Sequence, residues 1–338
     1  MLIDRFMSRG REFLGSRYPI MCGAMTWVSD PELVSAVGNA GGFGLLAGGN
    51  MPTEVLRHQI EQTRQLTRHP FGVNIITLAP AYRKHLDLAC DMGCGCIVFA
   101  GGIPKAREIR QARESGAKVI CFASTEPLAL MLIERGADAL MLEGSEAGGH
   151  VGPVALSVLL QQILFEVEEV PMFIAGGIAT GRMMAHLLMM GAAGIQMGTR
   201  FVMSDECAAH SDFKGAFAKA RARDAMATPQ FDSRLPVIPV RALKNEGSIE
   251  FAKLQLELLY KIDNQMMDRT EAQYAVERFW VGALKNAVVD GDVVKGSLMA
   301  GQSVGLVKDV MPMKEILTEF ITDGENELQR LYQLMSKG

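Results

Sequence analysis

The stretch from Leu142 to Pro153, LEGSEAGGHVGP, places a carboxylate (Glu143), near-bare backbone (Ala147, Gly148, Gly149) and an imidazole (His150) within one short loop. Imidazole moves protons near neutral pH, and glycines let the backbone approach a flat or anionic group that a Cβ would hold away. Proton transfer beside a closely held ligand is the chemistry these residue types allow. Two more glycine-rich stretches, AGGIATG (175 to 181) and MGTR (197 to 200), offer open backbone N–H groups and the Thr199 hydroxyl. That donor set suits a phosphate.

Something must bring these loops together. Short apolar runs ending in small residues recur at 19–25, 43–49, 71–77, 96–102, 118–124, 139–145, 171–177 and 194–201. Between them lie helix-length amphipathic stretches, at 31–40, 53–66, 81–92, 104–115, 126–135 and 181–190, with Gly93, Gly116, Gly136 and Gly191 placed as C-terminal caps. Eight such units with strands apolar on both faces predict an α/β fold, a (β/α)8 TIM barrel. An open doubly wound sheet is the competing architecture.

In a barrel the chemistry sits at the C-terminal ends of the strands. Those ends carry Ala24 and Met25, Gly48 and Gly49, Asn74, Ala100 and Gly101, Glu143 through His150, Gly176 and Gly177, and Gly198 with Thr199. So many glycines there predict a flat ligand across the mouth, with its phosphate on the loops after the last two strands. Of the other histidines, His58, His69 and His85 are expected on helix surfaces or a bottom loop, His186 in mid-helix and His210 at the start of a cap. Arg200 suits either a phosphate or a neighbouring acid.

After Phe201 the rhythm breaks. Residues 204–295 read as a mainly helical cap or substrate domain, with one long helical stretch from Ile249 to Asn286, while 1–203 and 296–338 form the barrel with a C-terminal helix. Between Glu206 and Asn245 seven basic residues face four acidic ones in a chain of net charge -4. A positive rim over the mouth is one reading, an ordinary solvated helix the other. The overall charge gives no general attraction for nucleic acid, and no apolar run is long enough for a membrane span. The N-terminus lacks a secretory pattern, so a cytoplasmic location is expected; a homodimer is the assembly considered. Cys90, Cys94 and Cys96 lack a fourth ligand at metal-binding spacing and are expected to be ordinary thiols, and Asp290-Gly-Asp292 a turn.

The phrases YPIMCGAMTWVSDPELVSAVGNAGGFGLLAGGN, PFGVNI, EGSEAGGHVG, IAGGIATG, MGTRFV, VRALKN and GALKNAVVDGDVVKGSLMAGQSVGLV resemble the flavin-dependent enoyl-[acyl-carrier-protein] reductase II group and the related nitronate monooxygenases, once called 2-nitropropane dioxygenases. The resemblance spans nearly the whole chain, and its C-terminal block is closer to the reductases. One departure is Cys22-Gly23-Ala24-Met25, where those reductases usually read Gln-Gly-Gly-Met. The resemblance implies FMN held by Ala24, Met25, Asn74, Ala100, Glu143, Ala147, Gly148, Gly149, Gly176, Gly177, Gly198 and Thr199. By resemblance alone, Met299, Gly301 and Gln302 close one side. It further implies NADH or NADPH as reductant, a trans-2-enoyl thioester as substrate, with an acyl carrier protein as its bearer, and His150 as the catalytic proton-handling residue. The alternatives are nitronate oxidation with O2, a related NAD(P)H:acceptor flavin reductase, and a flavin-free barrel that binds a phosphorylated ligand.

Overall fold

Alternation along the strands sorts the barrel's side chains into two cores. In the computed structural model, which describes residues 1–49, 51–235 and 239–336, the strands are β1 (Ile20–Cys22), β2 (Phe43–Ala47), β3 (Gly72–Ile76), β4 (Cys96–Ala100), β5 (Lys118–Ala123), β6 (Ala139–Glu143), β7 (Gly149–His150), β8 (Met172–Ala175), β9 (Gly194–Met197), β10 (Ala225–Ala227) and β11 (Val240–Leu243). All of β1 to β6 with β8 and β9 pair in parallel and close as a barrel in chain order. The eight-unit reading therefore holds, and the open sheet does not. Met21, Phe43, Leu45, Val98, Ile120, Met141 and Phe173 fill the interior. Their neighbours one residue along, such as Leu46, Ile97, Leu140 and Ile174, pack in the larger cluster that includes the surrounding helices, as the period of two requires.

The helix Ser8–Leu14 contributes Phe13 and Leu14 to the interior cluster, with the Phe13 ring 5.7 Å from that of Phe173. Helix ends follow local chemistry. Asp30, Thr125 and Thr180 accept N–H bonds at three helix starts. Gly93, Gly116, Gly136 and Gly191 end helices with positive φ, as their positions predict.

The differences from expectation cluster after β9. The run at 194–201 is strand only to Met197; Thr199–Val202 forms a helical turn instead. The long helix expected from Ile249 to Asn286 is two, Glu246–Asp263 and Arg269–Val288, parted by a turn in which Gln265 is left-handed. They share a small core of their own, with Phe251 and Trp280 rings 4.2 Å apart. Helicity does not account for all of 204–295 either: β10, β11 and β7 form a three-stranded sheet, and Phe213 and Phe217 pack into the large barrel cluster. The C-terminal helix runs from Met313 to Ser336. No helix among the described residues is long and apolar enough to cross a membrane.

Candidate active site

The same alternation that builds the barrel core decides which polar groups look into its mouth. Ala139 and Met141 face inward, so Glu143 does too; Asn74 follows between outward Val73 and Ile75, and Gln196 between outward Ile195 and Met197. Ala175 pairs with Glu143 on one side and Gln196 on the other, which sets the two polar side chains around the same arc. Gln196 was not singled out from the sequence. A glutamine inside the apolar run GIQM was the available signal, and its Oε1 is buried with no hydrogen-bond partner among the described residues.

Glu143 keeps partial contact with solvent, yet its carboxyl lies at depth and makes no hydrogen bond or ion pair among the described residues. Burial pushes its pKa from 4.5 up to about 8. At neutral pH it is a protonated acid, able to donate as well as accept. The unfolded chain releases this proton near 4.5 while the folded chain keeps it to about 8, so this group lowers the stability of the flavin-free protein as pH rises through that window. Glu143→Gln should therefore raise the Tm of flavin-free protein, with a gap that opens above pH 5 and reaches at least about 2 °C by pH 8. Thermal melts across pH 5 to 9 check this; a gap that stays flat with pH would remove the raised carboxyl.

The loop from Gly144 to His150 is pinned from several sides. Ala147 N–H donates to the Gly144 carbonyl at 3.0 Å and Ser145 N–H to the Val154 carbonyl at 2.8 Å, while the Glu146 carboxylate accepts from Leu156 N–H at 3.1 Å. Arg241, counted in sequence as a rim charge, points inward: its guanidinium donates to the carbonyls of Ser145 at 3.1 Å and Ala225 at 2.7 Å. His150 itself is exposed, and its backbone pairs with Val240 of β11.

The C-terminal segment closes against this loop. Gln302 N–H donates to the Glu146 carbonyl at 3.0 Å, Gly301 N–H to Thr199 Oγ1 at 3.0 Å, and Met299 bridges to Ala242. A Cβ on Gly148 would stand 2.5 Å from Gly301 N and 2.6 Å from Ala300 C, so only glycine permits that approach. Gly176 and Gly177 both have positive φ at the end of β8, and Met25 Sδ lies 3.2 Å from where a Gly198 side chain would begin. Ala24 and Met25 follow β1. Ala100 lies on the rim of β4, where its carbonyl accepts from Thr77 N–H at 2.9 Å.

Beside Gly176 and Gly177 opens a cavity of about 570 Å³ whose lining includes Glu146, Gln302 and two cations, Arg221 and Lys308. Lys308 was not read as a site residue; it lies in a loop whose composition gives no signal. Arg200 meets neither expected partner among the described residues: its guanidinium donates to the Asp309 backbone carbonyl at 3.0 Å and lies near Met311. His85 departs from expectation: it is wholly buried on the helix Tyr82–Asp91, and burial lowers its pKa, so the ring is neutral. Neither ring nitrogen meets a partner in good geometry among the described residues, although the backbones of Gly48 and Met51 lie beside it. Cys94 and Cys96 are buried thiols pushed up to about 11 and about 12 by desolvation. Asp292 accepts from Val294 and Lys295 N–H groups in a tight turn.

The profile of the nitronate monooxygenase family matches residues 8–85 and 76–323. The chain belongs to that family. Members are oxidoreductases that generally use a flavin. This nitronate monooxygenase family member is similar to FabK of Thermotoga maritima, an enoyl-[acyl-carrier-protein] reductase II, at 36% identity and a TM-score of 0.85 over 96% of this chain and 98% of that one. It is 31% identical to an octahydroindene-carboxyl-CoA dehydrogenase of Mycobacterium tuberculosis over 94% of this chain and 96% of the relative. A probable nitronate monooxygenase of Staphylococcus aureus is 27% identical over 77% of this chain and 84% of its own length.

The residues present fit a flavin mononucleotide. Left-handed glycines at the β8 end with Arg221 and Lys308 beside them suit a phosphate, and the unpartnered Glu143 carboxyl and Gln196 Oε1 suit hydroxyl and ring N–H groups.

Proposed function

We propose that this protein is an FMN-dependent oxidoreductase that uses NADH or NADPH to reduce trans-2-enoyl thioesters. The observation that carries this reading is the docking of Met299–Gln302 onto the His150 loop through Glu146 and Gly148, and onto the turn after β9 through Thr199. That segment is where the chain most resembles the enoyl reductases, and here it forms part of the site itself. The relatives support it: FabK and the carboxyl-CoA dehydrogenase both exceed 30% identity along nearly the whole chain.

Bound FMN would supply hydride transfer, held by Asn74, Glu143 and Gln196 at the mouth and by Gly176, Gly177 and Gly198 at its phosphate. The chain's own residues bind, orient and move protons. His150 stands exposed at the rim, where it can deliver a proton to the substrate α-carbon or a hydrogen bond to the thioester oxygen as enolate character grows. The backbone of its strand is fixed by β11, so the ring has a defined origin whatever it donates to.

Nitronate oxidation is the second reading, favoured by the family profile and by the staphylococcal relatives. There His150 would take a proton from a nitroalkane or orient a nitronate, and O2 would be the electron acceptor. Anaerobic turnover of a 2-enoyl thioester with NAD(P)H, beside aerobic turnover of an alkyl nitronate without it, separates the two. Nitronate turnover alone would overturn the reductase reading.

An acyl carrier protein is the proposed substrate bearer. Of the seven basic residues between 206 and 245, Arg234 is paired with Asp232 and Asp263, and Arg241 and Lys214 are spent on backbone carbonyls. Lys219, Arg223 and Lys244 have no acidic partner among the described residues. Replacing these three by serine, while leaving Arg221 at the phosphate-side cavity, should lower kcat/KM several-fold for carrier-linked substrate only. Rim charges act on encounter rate, so the loss should shrink as salt rises. Equal loss with a coenzyme A thioester would exclude the carrier protein.

A further inference from the structure

Trp27 is an unusual residue to find where it is. It follows the end of β1 at the barrel mouth, two residues beyond Met25, and leaves 46% of its surface exposed. Its φ is +67°, a left-handed conformation that costs a non-glycine residue roughly 1 kcal/mol or more. The loop enforces it. Ser29 Oγ donates to the Gly23 carbonyl at 2.8 Å and accepts from Met25 N–H at 3.0 Å, and the N–H groups of Val28 and Ser29 both donate to the Met25 carbonyl. Asp30 then caps the next helix through Leu33 N–H at 2.9 Å. Left-handed strain in a tightly bonded loop holds a large indole in water rather than in the core.

A cation meets it there. Lys285, on the helix Arg269–Val288, sets Nζ 5.8 Å from the centre of the Trp27 ring, within cation–π range. Lys285 is exposed and has no carboxylate partner among the described residues. A half-exposed indole beside an ammonium that meets no carboxylate among the described residues is complementary to a flat heteroaromatic base that carries a phosphate.

We propose that Trp27 and Lys285 form a subsite for the adenosine phosphate end of a reactant, the group that a nicotinamide dinucleotide and coenzyme A share. The proposal rests on the thioester reductase reading, which brings the dinucleotide to this mouth, and coenzyme A as well when it bears the acyl chain in place of a carrier protein. Adenine packs against the indole and an adenosine phosphate meets Lys285, leaving the reactive end to reach past Met25 toward the flavin cradle.

The test begins with binding, which needs no turnover. Calorimetry of ADP with the flavin-loaded protein should show an affinity that falls about 10-fold or more in Trp27→Ala and is largely kept in Trp27→Phe. Lys285→Ser should weaken ADP several-fold and leave adenosine unchanged. Adenosine 2′,5′-bisphosphate and adenosine 3′,5′-bisphosphate then separate the two sources, since they copy the ends of NADPH and coenzyme A. In turnover, Trp27→Ala should raise KM for the adenosine-bearing reactant with kcat within about twofold, and leave untouched the oxidation of pre-reduced enzyme by an enoyl N-acetylcysteamine thioester, a half-reaction that contains no adenosine. Wild-type protein that fails to bind ADP, or a Trp27→Ala loss shared by the N-acetylcysteamine thioester, would overturn the subsite. If no thioester turns over while ADP binding still depends on Trp27, the reductase reading fails and the subsite stands.

Discussion

Gly148→Val should purify as a folded, colourless protein that takes up no added FMN. A Cβ at this position meets Gly301 N and Ala300 C at 2.5 and 2.6 Å, and backbone atoms cannot turn aside as a side-chain tip can. The 144–150 loop must then part from the 299–302 segment, and the hydrogen bond from Gln302 to Glu146 parts with it. Because the barrel core lies below this layer, circular dichroism and solubility should stay near wild type. Gly177→Glu gives an independent route to the same loss. Its Cβ would have ordinary room, 3.5 Å from the nearest atom of Glu146, but it adds strain at φ +72° and a second carboxylate where an anion is expected. Gly95→Ala, with open space around it, is the control that should keep full flavin. The flavin-to-protein ratio after purification and after FMN addition reads all three, and a yellow Gly177→Glu protein at wild-type stoichiometry would end the assignment of the phosphate to the β8 turn.

His150→Ala should keep its flavin and the reduction of that flavin by NAD(P)H, yet lose about 100-fold or more in reduction of the enoyl thioester, the size expected of a proton-transfer group. His150 pairs through its main chain with Val240, and Val151 N–H donates to the Pro239 carbonyl at 3.0 Å, bonds that alanine at 150 keeps. His150→Gln keeps hydrogen-bonding capacity without a titratable proton. If it recovers part of the rate and flattens the pH profile, the ring acts through proton transfer; if Ala and wild type turn over alike, the residue is structural. Rapid mixing of the pre-reduced enzyme with thioester isolates the affected step.

Much of the barrel was legible because its signals are local. A strand apolar on both faces, a glycine with positive φ ending the following helix and a capping Asp or Thr before the next each act within a few residues, so the eight units and their order follow from the chain itself. The same periodicity places Asn74, Glu143, Gly176 and Gly198 at one end of the barrel without any knowledge of contacts. The rest depended on pairings between distant segments. Whether His85 faces water or core is a matter of which side of its helix meets the barrel, and a single histidine on an amphipathic helix carries no mark of it. Arg241 looked like one more surface charge until β11 paired with β7 and turned its guanidinium onto the carbonyls of Ser145 and Ala225. The split at Gln265 followed a left-handed turn within an otherwise helical composition. Sequence by itself determined the architecture and the end of it where chemistry happens. Only the tertiary structure decided that Met299–Gln302 closes on the His150 loop, that Gln196 and Glu143 share the mouth, and that Trp27 stands in water beneath Lys285, because each is a contact between segments whose meeting no local periodicity encodes.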